Sequence, residues 1–190
     1  MMFTKALGLA TAFATLTSAL PHAPREAGTP TVTPSPSPTP SPSGGAGGVT
    51  IKNNLDQEIY LWSVGTVAHD METLAPNGGT FRQSWQRPDE GGVSVKMAAE
   101  PDRSHVLQFE YTTADPKIFW DLSVIDIKSR SLFTKHGFAI KPSVTTPECH
   151  AAVCKAGDKK CADAYLHPMD NEATNACPID TSFEMDVGLL

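Results

Sequence analysis

Four cysteines are the residues whose type and spacing carry the clearest chemistry in this sequence. They are Cys149, Cys154, Cys161 and Cys177, spaced C-x4-C-x6-C-x15-C near the end of the chain. An even number of thiols can pair into disulfides in an oxidising compartment, and thiolates can also hold zinc. No C-x2-C knuckle is present, and His150 and His167 complete no recognised zinc spacing. The spacing therefore favours two disulfides and no metal site, and it leaves all three connectivities open.

The N-terminus indicates the oxidising compartment that such disulfides need. Lys5 precedes an uncharged apolar run over residues 6–16, and the small residues Thr17, Ser18 and Ala19 follow it. This order predicts a cleavable signal peptide over residues 1–19. Because the run is shorter than the roughly 20 residues that span a bilayer, we expect no membrane anchor in the mature chain. The expected location is secreted, either extracellular or associated with a cell wall.

Residues 20–48 have the composition of a disordered Pro/Ser/Thr-rich stalk. Proline stands at positions 30, 34, 36, 38, 40 and 42, almost always beside Ser or Thr. Proline lacks an N–H, and the segment has little apolar surface to bury, so neither helix nor sheet is expected. The exposed hydroxyls are candidates for O-glycosylation, and a processed pro-segment is the alternative. The formal net charge of -6 argues against nucleic acid as a partner.

Residues 49–190 read as one all-β domain, an antiparallel β-sandwich or barrel. Short β-branched and aromatic runs alternate with turn residues such as Asn-Gly and Gly-Gly, which predicts about eight strands. Among them are 49–53, 57–64, 80–87, 93–97, 106–112, 118–127 and 132–141. Helical periodicity is weak and confined to about 156–165. The cysteine-containing segment 145–180 is predicted to be a small loop or helical subdomain that the disulfides hold together.

Several short sequence segments of the domain resemble those of a known family. VTIKNNLDQEIYLWSVG, LAPNGGTFRQSW, GGVSVKM, QFEYT and WDLSVIDI occur in this order, followed by the tail CHAAVCKAGDKKCADAYLHPMDNEATNAC. Together they resemble the fungal yeast-phase-specific secreted proteins, which are reduced relatives of the thaumatin-like and osmotin-like proteins. The resemblance covers about 48–177 and implies a thaumatin-like antiparallel β-sandwich.

The thaumatin-like resemblance also implies an acidic cleft lined by an Arg, a Glu and several Asp. The matching positions are Arg82 (or Arg87), Glu110, Asp121 and Asp126. Asp121 and Asp126 lie five residues apart in one predicted strand, so alternation puts them on opposite faces unless a bulge intervenes. As catalytic candidates, Glu110 and Asp121 would form the carboxyl pair of a glycoside hydrolase, which requires a separation of about 5–10 Å.

Three functions are therefore compatible with these features of the chain. The first is a non-catalytic fungal cell-wall or surface protein, an antigen by its family resemblance, that binds carbohydrate such as cell-wall β-glucan, or a host surface component. The alternative is a weak β-glucan hydrolase that uses the acidic cleft; an effector or inhibitor acting on another protein is a third possibility. Much of the second domain of the larger family has no counterpart here, which favours binding over catalysis. No cofactor is expected.

Overall fold

The computed structural model describes residues 47–127 and 131–189, and within them the chain is built almost wholly from strands. The strands are β1 (Gly48–Asn53), β2 (Ile59–Val64), β3 (Glu72–Leu74), β4 (Gly79–Ser84), β5 (Val93–Ala98), β6 (Leu107–Ala114), β7 (Lys117–Ser123), β8 (Phe138–Pro142), β9 (Ala152–Cys154), β10 (Asn175–Pro178) and β11 (Ser182–Val187). One short helix, α1, spans Leu132–His136, and one 3-10 turn spans Asn171–Ala173. The signal peptide and all of the stalk before Gly47 lie outside the described residues.

The strands form two sheets that pack face to face as a sandwich. The five-stranded sheet has the order β4-β1-β11-β8-β9, and the six-stranded sheet has the order β10-β7-β6-β5-β2-β3. The predicted all-β sandwich is therefore confirmed. One pair departs from the antiparallel expectation, because β1 and β11 run parallel in the middle of the five-stranded sheet. This pairing joins the first and last strands of the described domain, a contact between residues too distant in sequence for a local pattern to indicate.

Aromatic side chains fill the space between the sheets. On β6, Leu107, Phe109 and Tyr111 are buried, whereas Glu110 between them is partly exposed, as strand alternation requires. The ring of Phe109 lies 6.0 Å from that of Phe183 on β11 and 6.2 Å from that of Trp120 on β7. Inward residues of both sheets thus meet in one core, and the residues between them face outward from the six-stranded sheet.

A turn at residues 75–79 carries the chain from the six-stranded sheet to the five-stranded sheet. Asn77 and Gly78 both have positive φ, 56° and 111°, which fits the predicted Asn-Gly turn. Asn53 is fully buried beneath it and donates its side-chain amide to the carbonyls of Leu74 and Ala75, both at 3.1 Å. The residue that ends β1 therefore also anchors the crossover between the sheets.

The disulfides are Cys149–Cys177 and Cys154–Cys161, which confirms two disulfides and selects one of the three connectivities. All four sulfurs belong to residues buried in the main core. Cys154 ends β9 at the edge of the five-stranded sheet, and Cys177 lies on β10 at the edge of the six-stranded sheet. Both disulfides join residues within the segment 145–180, as predicted, and that segment also supplies an edge strand to each sheet.

Several local predictions differ from the structure, which has eleven strands among the described residues where about eight were predicted. The predicted strand 132–141 begins as α1, because the Ser131 hydroxyl accepts the Thr134 N–H and Gly137, with φ of 76°, ends the helix before β8. The predicted strand 118–127 ends at Ser123. The weak helical signal at 156–165 forms no helix, because the disulfide Cys154–Cys161 closes this segment into a loop.

Candidate functional site

Glu110 and Asp121 stand side by side on the outer face of the six-stranded sheet. They are directly paired across β6 and β7, and Ser94 of β5 pairs with Glu110 in the same row. Directly opposed residues of neighbouring antiparallel strands have Cβ atoms about 4.5–5.5 Å apart. The structure therefore brings together the two carboxyl groups that the resemblance implied, on one face and within reach of a single ligand group.

Burial and mutual repulsion set the charge state of this pair. Desolvation, together with the negative charge of Glu110, raises the pKa of Asp121 to about 7. In the described part of the chain, neither carboxyl group makes a side-chain hydrogen bond or an ion pair. Asp121 therefore keeps its proton to a higher pH than an ordinary aspartate does, and the oxygens of both carboxyl groups are open to a ligand.

A polar network lies beside the carboxyl pair on the same face, two residues along the strands. Lys96 Nζ donates to Gln108 Oε1, which also accepts the Ser94 hydroxyl at 3.3 Å. Gln108 Nε2 in turn donates to Ser123 Oγ at 3.3 Å. Because Gln108 holds its ammonium group, Lys96 contributes a positive charge to the floor without pairing with either carboxylate. Alternation in the predicted strands 93–97 and 106–112 already put Lys96 and Gln108 on this face, although sequence reasoning did not single them out.

A groove of about 640 Å³ runs over the carboxyl pair. One wall is the C-terminal segment, which contributes Tyr165, Pro168 and Thr174, and the lining also includes Phe119 of β7 and Ile125 of the turn after it. Tyr165 is held at the end of β7, where its N–H donates to the Leu122 carbonyl at 2.8 Å. Its hydroxyl lies 2.6 Å from that of Thr174, which ties the wall together. The loop that the short disulfide closes thus leads directly into a wall of the groove.

The other predicted cleft residues lie elsewhere. Arg82 is exposed on β4 in the five-stranded sheet, and Arg87 forms an exposed ion pair with Asp115 at 2.7 Å. Asp126 lies in the turn after β7 and lines a separate cavity. The expectation that Asp121 and Asp126 share a strand was wrong, because β7 ends at Ser123. Of the four cleft candidates, the structure brings together only Glu110 and Asp121.

Within residues 47–127 and 131–189, no group of three or more His, Cys, Asp or Glu side chains is arranged to hold a metal ion. The carboxyl pair supplies two such side chains, and the residue opposite Glu110 on β5 is Ser94, which adds neither a carboxylate nor an imidazole. The same described residues contain no helix of the length and apolar character that a membrane crossing requires.

The pKa of Asp121 leads to a prediction for stability. Its folded pKa lies above its ordinary value of 3.8, so the folded protein keeps a proton that the unfolded chain loses between about pH 4 and 7. The free energy of unfolding should therefore fall as the pH rises through this window. A shift to about 7 corresponds to ~4 kcal/mol, which the partial exposure of Asp121 reduces to about 2 kcal/mol. Asp121→Asn should recover about 2 kcal/mol at pH 8.

Urea unfolding of the two proteins at pH 4 and pH 8 checks this, because the gain should be confined to the higher pH. Asp89→Asn is the matched control, since Asp89 is an exposed aspartate in a loop. An equal gain in both variants, or a gain that does not change with pH, would contradict the expected burial of the Asp121 charge.

Comparison with known proteins identifies relatives over nearly the whole chain. The family described as Blastomyces yeast-phase-specific protein matches residues 39–188. The chain is 38% identical over 189 residues to the secreted thaumatin-like protein calA of Emericella nidulans, covering 99% of this chain and 98% of that protein. It is 36% identical over 143 residues to an antigenic thaumatin-like protein of Arthroderma benhamiae, covering 75% and 71% of the two chains.

A solved structure also shares the fold. The protein elicitor MoHrip2 from Magnaporthe oryzae superposes with a TM-score of 0.62 at 19% identity, over 76% of this chain and all of that one. The thaumatin-like xylanase inhibitor TLXI matches with a TM-score of 0.43 at 10% identity, over 73% of this chain and 97% of that one. The first superposition supports the thaumatin-like sandwich and carries no further information about the site.

Proposed function

The chain belongs to the Blastomyces yeast-phase-specific protein family and is a secreted fungal thaumatin-like protein, and on that premise we propose that it is a non-catalytic surface or cell-wall protein that binds glycan. The groove above Glu110 and Asp121 is the proposed binding site. The observation that carries the proposal is a pair of carboxyl groups without protein partners beside exposed aromatic surface, within the described residues.

The chemistry of the groove suits a sugar chain. Carboxylate oxygens accept hydrogen bonds from vicinal hydroxyl groups, and such charge-assisted bonds are stronger than neutral ones. Phe119 lies two residues before Asp121 on β7 and therefore on the same outer face, where it is 41% exposed. It offers a flat ring to the apolar face of a sugar. The floor is a rigid sheet, so binding does not require these side chains to be reordered.

Binding to insoluble β-glucan and chitin tests the proposal. We expect the purified full chain to sediment with at least one of the two polymers. At pH 8, above the pKa of Asp121, Glu110→Gln and Asp121→Asn should each weaken binding about tenfold or more, because each removes charge-assisted hydrogen bonds. Glu184→Gln is the matched control, since Glu184 is exposed on β11 of the other sheet. Equal retention of all four proteins by the polymer would remove the groove as the binding site.

Hydrolysis of β-glucan is the second candidate function, and the position and raised pKa of Asp121 favour it. A carboxyl group that keeps its proton to near neutral pH, directly opposite a second carboxyl group, is an arrangement that glycosidases use. Asp121 would be the acid, and Glu110 the nucleophile or base. Reducing-sugar release from β-glucan that disappears in Glu110→Gln would establish catalysis. Retention on the polymer without release would leave binding as the function.

A further inference from the structure

A second cavity of about 480 Å³ adjoins the groove on the outer face of the six-stranded sheet. Its lining residues are Trp62, Lys96, Arg103, Ser104, His105, Val106 and Asp126. Lys96 also lines the groove above Glu110 and Asp121, so one side chain borders both spaces. The two spaces differ in charge, because the groove centres on two carboxyl groups and the cavity on basic side chains.

The loop between β5 and β6 holds the basic side chains in place. Asp102 accepts the Ser104 N–H at 2.9 Å and the Ser104 hydroxyl at 2.7 Å, which tightens the turn. On either side of Ser104, Arg103 and His105 have positive φ, 57° and 54°. Residues other than glycine rarely adopt a positive φ, and those that do cluster at functional sites. The unusual backbone turns two basic residues of one short loop toward the same cavity.

Arg103 is further oriented by Trp62. Its guanidinium carbon lies 5.2 Å from the centre of the Trp62 ring, and that ring is buried in a small cluster with Ala98 and Val106. A guanidinium group that lies over an aromatic face keeps the N–H groups at its edge free to bind an oxyanion with two hydrogen bonds. Throughout the described ranges, neither Arg103 nor His105 forms an ion pair.

The charge balance of the cavity favours an anion. Lys96 and Arg103 each carry a full positive charge, and the His105 imidazole adds an N–H donor. Asp126 is the one carboxylate in the lining, and it is exposed at the end of the turn after β7. An anion that enters therefore meets two cations and one carboxylate in the lining, and Asp126 provides a test of this balance. Asp102 of the loop between β5 and β6 adds a second carboxylate near His105, outside the lining.

We propose that this cavity is an oxyanion subsite, which takes the carboxylate of a uronic acid or a sulfate ester on a glycan whose neighbouring sugar lies over Glu110 and Asp121. This inference rests on the proposed glycan-binding function. Lys96 and Glu110 lie in adjacent outward rows of the sheet, about 7 Å apart along the strand direction, a spacing that one sugar unit can span. The acidic pair repels a second anion, so the preferred ligand carries one isolated acidic group in a neutral chain.

Calorimetric titration of the full chain with three β-glucan tetrasaccharides tests the inference. One tetrasaccharide is neutral, one has a single glucuronate at its end, and one has a single 6-sulfate at the same place. We expect at least one acidic ligand to bind about tenfold more tightly than the neutral ligand. Arg103→Gln should abolish this difference, whereas Arg103→Lys should restore part of it, because the charge returns without the planar fork.

Two further variants separate a subsite from general charge attraction. Asp126→Asn removes the opposing carboxylate and should tighten the binding of the acidic ligand several-fold. Lys141→Gln removes a positive charge from the five-stranded sheet, where Lys141 is exposed on β8, and should change nothing. Thermal melting of each variant identifies any loss of affinity that results from unfolding, and Arg103→Lys retains the charge that covers Trp62.

The outcomes distinguish this inference from the proposed function. Equal affinity for neutral and acidic tetrasaccharides would overturn the subsite and leave the groove intact. The subsite would also be overturned if Lys141→Gln weakened the binding of the acidic tetrasaccharide as much as Arg103→Gln does. Acidic binding that depends on Arg103 but not on Glu110 or Asp121 would keep the subsite and overturn the proposed groove. Binding of an acidic peptide, with no binding of any tetrasaccharide, would overturn both.

Discussion

Replacing Phe109 with alanine should lower the free energy of unfolding by about 3–5 kcal/mol. Phe109 has no exposed surface and lies at the centre of the aromatic core, with the rings of Trp85, Tyr111, Trp120 and Phe183 between 5.8 Å and 6.2 Å away. Truncation leaves a cavity that these large rings cannot close without leaving their rotamers. Chemical denaturation followed by tryptophan fluorescence measures the loss.

Phe119→Ala provides the matched control for Phe109→Ala. Phe119 is 41% exposed on the outer face of the neighbouring strand β7, so its truncation should cost less than about 1 kcal/mol. The two variants remove the same atoms from one core position and one surface position. Losses of similar size in both would contradict the packing described here and would imply that the two sheets do not enclose Phe109.

Removing the Cys149–Cys177 disulfide should cost about 3–4 kcal/mol in the free energy of unfolding. The disulfide closes a loop of 28 residues, and its loss frees that loop in the unfolded chain. Its position adds to the effect, because the segment before β9 is linked through it to β10, the edge strand beside β7. The Trp120 indole N–H also donates to Cys177 Sγ at 3.2 Å. Denaturation of the double variant Cys149→Ala/Cys177→Ala tests this.

The second disulfide provides the comparison, because Cys154–Cys161 closes a loop of only seven residues. Cys154→Ala/Cys161→Ala should therefore cost less, about 2 kcal/mol, on the same loop-entropy argument. A larger loss for the short loop than for the long one would show that strain or packing, rather than the length of the closed loop, determines what each disulfide contributes.

The proposed glycan site depends on this framework through β7. Asp121 lies on β7 next to Trp120, so its outward position is a consequence of Trp120 facing the core. Tyr165 of the groove wall is tied by backbone hydrogen bonds to Leu122 and Val124. The C-terminal segment thus completes both the edge of the six-stranded sheet and one wall of the groove.

Sequence patterns predicted most of the strands because each depends on neighbours within a few residues. The alternation in QFEYT put Phe109 inside and Glu110 outside, and the Asn-Gly pair marked a real turn. The same patterns failed where one residue changes the outcome. Ser131 caps a helix inside a run that reads as a strand, and Ser123 ends β7 four residues before the apolar pattern stops.

The sequence by itself determined the β-sheet class, the secretion and the number of disulfides, because composition, alternation and cysteine count are local or additive properties. Only the tertiary structure decided that Cys149 pairs with Cys177, that Glu110 faces Asp121, and that Asp126 turns away to a cavity shared with Arg103. Those relations depend on the register between strands and on the path of loops. Both are set by core packing between residues far apart in the chain, which no local pattern encodes.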